Sequence, residues 1–101
     1  MMIKTHFSIE FLEKSTERLR GVAHPIRLAI IDLLHRNQQM TVTEIFEQLK
    51  IDQAVASHHL SILKTLDIVD VKRDGRNSIY ALSNEAYFTI IEVLINVNQN
   101  E

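Results

Sequence analysis

The apolar residues of this chain change their spacing once, between Leu66 and Ile68. Before that point they recur every three or four positions, which predicts helices, and after it they alternate with polar residues, which predicts strands. The two alternating runs, 68–73 and 78–82, flank Asp74-Gly75-Arg76-Asn77, and a glycine in that place is typical of a tight hairpin turn. The sequence therefore predicts a helical body that carries one β-hairpin near its C-terminal end.

Helical segments are predicted at five places, four before the hairpin and one after it. Their expected N-terminal caps or first residues are, in chain order, Ser8, Pro25, Thr41 or Thr43, Asp52 and Asn84. The first helix is expected to end at Gly21, and the fourth near Leu66. The fifth is expected to run from Glu85 to about Val97, and a short extended stretch, 40–42, precedes the third. The predicted fold class is mainly α with a small β-hairpin.

Length and composition narrow the class of protein. A chain of 101 residues has the size of one domain, so residues 1–101 are predicted to form a single domain. The absence of cysteine excludes disulfides and thiolate metal sites. Since no run of about 18 apolar residues and no signal-like N-terminus is present, we expect a cytoplasmic protein without a membrane span. A net charge of −2 gives no overall attraction to nucleic acid.

Residues 41–66 have the layout of a helix-turn-helix, in which a short helix and a turn precede a longer helix. One side of the longer helix is expected to pack on the preceding helices, and consists of Val55, Ala56, His59, Leu60, Ile62, Leu63 and Leu66. The other side has small, hydrogen-bonding or basic residues, which are Gln53, Ala54, Ser57, His58, Ser61 and Lys64. Such a face suits base edges and phosphates, but similar faces also make protein contacts, so this segment alone leaves both functions open.

The predicted hairpin adds local positive charge. Its tip contains the cations and one amide expected to hold phosphates, which are Lys72, Arg73, Arg76 and Asn77. Asp70 and Asp74 reduce this charge. Because phosphate neutralisation depends on local cations, the hairpin and the polar helix face together favour DNA binding.

Four segments carry a resemblance to a known family. They are Ala23-His24-Pro25-Ile26-Arg27, the run 56–63 with its Ser-His-His-Leu core, Leu66-Asp67-Ile68-Val69, and the run 73–80 across the hairpin. With these segments in this order, residues 17–85 resemble the ArsR/SmtB family of winged helix-turn-helix repressors. The resemblance implies a homodimer that binds operator DNA, with the fourth helix in the major groove and the hairpin, or wing, along the backbone or minor groove. Asp67 stands where the family commonly has glycine.

The metal sites common in that family are absent from this sequence. Without cysteine, neither a thiolate site nor a dithiol switch can form. The family's other site lies on the last helix, and its positions are occupied here by Asn84, Ala86, Val97 and Asn100, none of which is a usual metal ligand. We therefore predict no metal and no cofactor. His35 and Asp32, three positions apart, form at most half of a new site, and an inducer of another kind is left open.

The last predicted helix is apolar at most positions from 87 to 97, which exceeds the single stripe of a surface helix. One side can cover the chain's own core, and the rest is expected to meet a second copy, together with the first helix. The predicted interface residues are Phe7, Phe11, Leu12, Tyr87, Ile91, Leu94 and Ile95. The alternative is a helix buried wholly within one chain.

The sequence predicts a sequence-specific DNA-binding transcriptional regulator, with a dimeric repressor as its expected form. Its expected partners are double-stranded operator DNA and a second copy of the chain. The alternative is a winged-helix protein-interaction module without DNA binding, which only the net charge of −2 supports. An enzyme is not expected, because the sequence shows no nucleophile–base set, no paired acids and no cofactor loop.

Overall fold

The computed structural model describes residues 3–99. Its elements are α1 (Ile9–Val22), α2 (Pro25–Asn37), β1 (Met40–Thr41), α3 (Val42–Leu49), α4 (Gln53–Thr65), β2 (Val69–Asp74), β3 (Asn77–Leu82) and α5 (Ala86–Asn98). The three strands form one antiparallel sheet in the order β1-β3-β2. This architecture confirms the predicted fold class, and the stretch expected to be extended before α3 joins the hairpin as an edge strand.

Three helices begin at the residues that the sequence indicates. The Ser8 side chain accepts the Phe11 N–H at 3.0 Å, so it caps α1 as expected. Of the two candidates for α3, Thr41 is the cap, and it forms a capping box with Glu44. Pro25 is the first residue of α2, where its missing N–H has no helical partner to lose.

Three details of the helix ends differ from the predictions. Asp52 takes the N-cap position of α4 in an extended conformation, but its side chain accepts no capping hydrogen bond. The fifth helix begins at Ala86 rather than Glu85, because Asn84 Oδ1 accepts the Ala86 N–H at 2.8 Å while Glu85 is the capping residue. The first helix continues one residue beyond Gly21.

The core lies where α2, α3, α4 and the base of the hairpin meet. Its largest fully buried side chains are Ile30, Ile31, Leu34, Ile45, Leu60, Leu63, Ile68 and Val69. The expectation that Val55 packs inside is wrong, because its side chain is 36% exposed. Val55 lies at the border between the two faces of α4, about 90° around the helix from the buried row.

Both helices of the helix-turn-helix end in the same hydrogen-bonded motif. After α3, the Ile51 N–H donates to the Phe46 carbonyl while Lys50 takes a left-handed conformation at φ 56°. After α4, the Ile68 N–H donates to the Leu63 carbonyl and Asp67 has φ 58°. These are Schellman endings, in which glycine is the usual left-handed residue. They allow each helix to stop sharply, and the left-handed conformation of Asp67 agrees with the glycine that the family commonly has there.

We expect Lys50→Gly to raise the free energy of unfolding by about 1 kcal/mol, because lysine pays a steric cost at positive φ that glycine avoids. Asp67→Gly should raise the free energy of unfolding by roughly 0.5 kcal/mol, since aspartate tolerates this conformation better than lysine does. Urea unfolding of both variants beside wild type measures the difference. A loss of stability in Lys50→Gly would show that its left-handed backbone carries no strain.

Candidate nucleic-acid interface

The outer face of α4 has the composition and exposure of a contact surface. All six predicted residues are exposed, namely Gln53, Ala54, Ser57, His58, Ser61 and Lys64. The opposite face is buried through Ala56, His59, Leu60 and Leu63. Thr65 is also exposed at the end of this outer face, and sequence reasoning omitted it. The structure therefore brings these side chains to one face, supported from behind by the core.

The charge on α4 suits an anionic partner. The helix contains no acidic residue, and its one lysine is Lys64 in the last turn. Its first N–H groups have no side-chain cap, since Asp52 does not accept from them. Free N–H groups and the positive end of the helix dipole at Gln53 favour a negatively charged group, such as a phosphate, near that end.

The hairpin is held in a fixed register. Asp74 pairs with Asn77 and Arg73 pairs with Ser78, so the turn consists of Gly75 and Arg76. Gly75 has φ 63°, a conformation that side chains other than glycine rarely adopt. The glycine that predicts the turn in the sequence is therefore favoured by the backbone conformation at this position.

The cations of the hairpin point to both of its faces. Because strand residues alternate between faces, Lys72 lies opposite to Arg73, and Arg73 follows the row of Val69 and Val71 that leads from the core. Arg73 also contacts the Ser78 hydroxyl across the pair at 3.3 Å. The four predicted residues, Lys72, Arg73, Arg76 and Asn77, are all exposed. The hairpin thus presents positive charge in more than one direction beside α4.

Comparison with known proteins gives the family. A model described as the arsR family of bacterial regulatory proteins matches residues 24–71, which run from α2 into β2. An uncharacterized HTH-type transcriptional regulator of Methanocaldococcus jannaschii is 35% identical over 86 residues, covering 85% of this chain and 97% of the relative. The chain belongs to the ArsR family.

The solved structures of two similar proteins match the fold along most of the chain. The transcriptional repressor PagR of Bacillus anthracis is 31% identical over 96 residues, covering 93% of this chain and 96% of PagR. Its crystal structure matches with a TM-score of 0.77, covering 86% of this chain and 99% of that one. NolR from Sinorhizobium fredii matches with a TM-score of 0.81 at 27% identity, covering 96% of each chain. The protein is a winged helix-turn-helix DNA-binding transcriptional regulator.

A second surface of this ArsR-family chain is apolar and open. None of the residues of α5 is buried, and Leu94 and Ile95 are 41% and 48% exposed. Among the predicted interface residues, Phe7 and Phe11 are also exposed, while Leu12, Tyr87 and Ile91 are partly buried. The exposed apolar residues of α5 that sequence reasoning omitted are Val93 and Val97. We call the exposed apolar residues of α1 and α5, with Phe7, the terminal-helix surface.

The histidine and aspartate considered for a metal have other partners. His35 Nδ1 lies 2.8 Å from Glu85 Oε2, and Arg36 donates to Asp32 at 3.0 Å. Within residues 3–99 no cluster of three His, Cys, Asp or Glu side chains could hold a metal ion. Asn100, one of the family's metal positions, lies outside the described residues.

No helix within residues 3–99 is long and apolar enough to span a membrane.

His59 is the one buried polar side chain of the described core, at 7% exposure. The sequence predicts that His59 packs on the preceding helices, and there its polar neighbour is Arg27, whose Nη1 lies 3.0 Å from His59 Nδ1. Burial lowers the pKa of His59 below its usual 6.5, and the nearby His24, Arg27 and His58 lower that pKa further. The ring is therefore neutral in the folded protein near neutral pH.

Proposed function

We propose that this chain is a homodimeric repressor that binds operator DNA with α4 in the major groove and the hairpin against the phosphate backbone. The observation that carries the proposal is the pairing of an acid-free, exposed polar face on α4 with a cationic hairpin directly after it. A helix of 13 residues is about 20 Å long, and its width suits a major groove about 12 Å across.

The chemistry of the α4 side chains suggests a division of roles. Gln53 and His58 have the donors and acceptors to address base edges, whereas Ser57 and Ser61 can bond either a base or a phosphate. Ala54 offers a methyl group to a thymine methyl. Lys64 and the four hairpin residues would neutralise or bond phosphates, which fixes the protein's position without selecting a sequence.

A second copy of the chain is the partner proposed for the terminal-helix surface. Apolar side chains left in water at α5 favour association, and a twofold contact between identical surfaces is the commonest way to cover them. Two α4 helices related by that axis would meet inverted half-sites about one DNA turn apart. Dimerisation therefore supplies the contact area that a single small wing lacks.

A binding titration with two variants tests the proposal. We expect affinity for a labelled duplex from upstream of the protein's own gene to fall steeply as salt rises from about 50 to 200 mM. Arg76→Ala should weaken binding to this duplex and to an unrelated one alike, and should reduce the salt slope by about one for each phosphate that the variant no longer neutralises. Gln53→Ala should cost about 1–3 kcal/mol on the preferred duplex only. Fluorescence anisotropy measures all of these.

The matched control is Arg36→Ala, which removes an exposed arginine of α2 that is bonded to Asp32. It should leave both affinities and the salt slope close to wild type. Binding that is insensitive to salt in the wild-type protein would contradict phosphate contacts. That result would favour the alternative, a protein-interaction module, for which the net charge of −2 is the supporting observation. We propose no enzymatic activity, in keeping with a family of transcriptional regulators.

A further inference from the structure

We propose that Arg27 is a positioning residue for α4, which it ties through His59 to the end of α1, and that specific DNA binding requires His59 Nδ1 to stay unprotonated. Because its effect is measured on DNA binding, this inference rests on the function proposed above. Arg27 itself is on α2 and is not among the residues proposed to touch DNA. Its guanidinium is the point where α1, α2 and α4 are joined by polar contacts.

On the α1 side, Arg27 satisfies a carbonyl that the sequence leaves without a helical partner. The Gly21 carbonyl lies in the last turn of α1. If the helix continued, this carbonyl would accept a hydrogen bond from the N–H of the residue four positions later. That residue is Pro25, which has no N–H. Arg27 Nε donates to the Gly21 carbonyl instead. Pro25 thus leaves the Gly21 carbonyl without a backbone donor, and the Arg27 side chain supplies a donor in its place.

On the α4 side, the same guanidinium sets the tautomer of a buried ring. Arg27 Nη1 lies 3.0 Å from His59 Nδ1, and an arginine can only donate, so Nδ1 must be the acceptor. The ring proton is therefore on Nε2. A second proton on Nδ1 would face the guanidinium, and the hydrogen bond from Arg27 to His59 would break.

The surroundings of His59 oppose that second proton. His24 and Arg27 of α2 and His58 of α4 all lower the pKa of His59, in addition to the effect of burial. The His24 ring lies against the His59 ring, with centroids 4.3 Å apart. The group of α1 that contacts this cluster of histidines and Arg27 is the Gly21 carbonyl, which accepts from Arg27. The helix α3 and the strand β2 also pack against α4, and their residues in the shared core are Ile45 and Val69.

The junction lies between the two surfaces that must be held at a fixed geometry in a dimer on DNA. The helix α1 belongs to the terminal-helix surface, and α4 carries the proposed base contacts. At the same place a side chain at Gly21 would overlap Leu66 Cδ1, so the end of α1 approaches the end of α4 closely. A change at Arg27 or His59 should therefore alter the angle of α4 relative to the partner's α4.

The expected result is a change in specificity rather than in general affinity. We take the ratio of affinities for the upstream duplex and an unrelated duplex of equal length, because changes in phosphate attraction that do not depend on sequence act on both alike. For wild type this ratio should fall about tenfold as the pH is lowered from about 7.5 through the lowered pKa of His59, where Nδ1 takes up a proton. Arg27→Met should lower the ratio about tenfold at pH 7.5, with little change in salt slope.

His59→Asn provides the conservative variant, because the asparagine carbonyl can accept a hydrogen bond near the Nδ1 position and the asparagine side chain does not titrate. Its ratio should no longer change with pH. Arg36→Met is the matched control, since it removes an exposed arginine from the same helix as Arg27 and should keep the wild-type ratio and pH dependence. Nitrogen chemical shifts of the His59 ring in the free protein should show an unprotonated Nδ1 and a protonated Nε2.

Several results would overturn the inference. These are an unchanged ratio in Arg27→Met, a pH step that persists in His59→Asn, or a ring with its proton on Nδ1. If the wild-type protein shows no preference for either duplex at any pH, the proposed function itself fails. If wild type and all variants bind with the same normal preference, only the role proposed for Arg27 and His59 fails. If Arg27→Met melts too low to be assayed, His59→Asn and the ring shifts still decide the matter.

Discussion

A protein carrying Ile95→Glu is expected to sediment as a monomer and to bind its operator at least about 100-fold more weakly than wild type. Ile95 is 48% exposed on α5, in the terminal-helix surface proposed to meet a second copy. Across a twofold axis the substitution buries two carboxylates in an apolar contact, at a cost of several kcal/mol, and every 1.4 kcal/mol is a tenfold loss in association. A monomer can then hold only one half-site, so the slope of log affinity against log salt should be roughly halved.

Sedimentation velocity and fluorescence anisotropy measure these two effects on the same samples. Because Ile95 is about half exposed and does not belong to the buried core of the protomer, circular dichroism should show unchanged helix content. The matched control is Gln39→Glu, which adds the same charge at an exposed position before β1 and should leave the dimer intact. A dimer that survives Ile95→Glu with normal operator affinity would place the interface elsewhere on the molecule.

The outer face of α4 was predictable because helical periodicity sorts its residues without knowledge of the tertiary structure. Buried positions recur at Ala56, Leu60 and Leu63, and the polar residues between them are then forced outward. The hairpin was predictable for a similar local reason, since Gly75 marks a turn that needs positive φ. Local rules of this kind supply the elements and the faces of the site.

Contacts between distant segments were not predictable in that way. Nothing in the spacing of the sequence pairs Arg27 with His59, which are 32 positions apart. The exposure of Val55 also depends on where the core ends, and periodicity places it only at the border of two faces. Asp52 has the right residue type for a cap, yet its side chain does not accept a backbone N–H. Each of these depends on tertiary packing or on a rotamer.

Leu60→Ala should lower the free energy of unfolding by about 3 kcal/mol, the middle of the usual range for a leucine truncated in a packed core. Leu60 is fully buried on the inner face of α4, in the cluster with Ile30, Ile45 and Leu63. For a domain of this size the loss corresponds to a melting midpoint lower by about 12–24 °C. Thermal unfolding followed by circular dichroism measures it.

Val55→Ala is the matched control on the same helix, and it should change stability by less than about 0.5 kcal/mol, because alanine's helix propensity offsets the smaller apolar area that it buries. The contrast follows from the length of α4, since a helix of 13 residues is marginal in water and depends on its packing to persist. If Leu60→Ala melted within a few degrees of wild type, α4 would not be held by this core. The polar face that it presents to DNA would then need another support, because an outer face keeps its geometry only while the inner face is anchored.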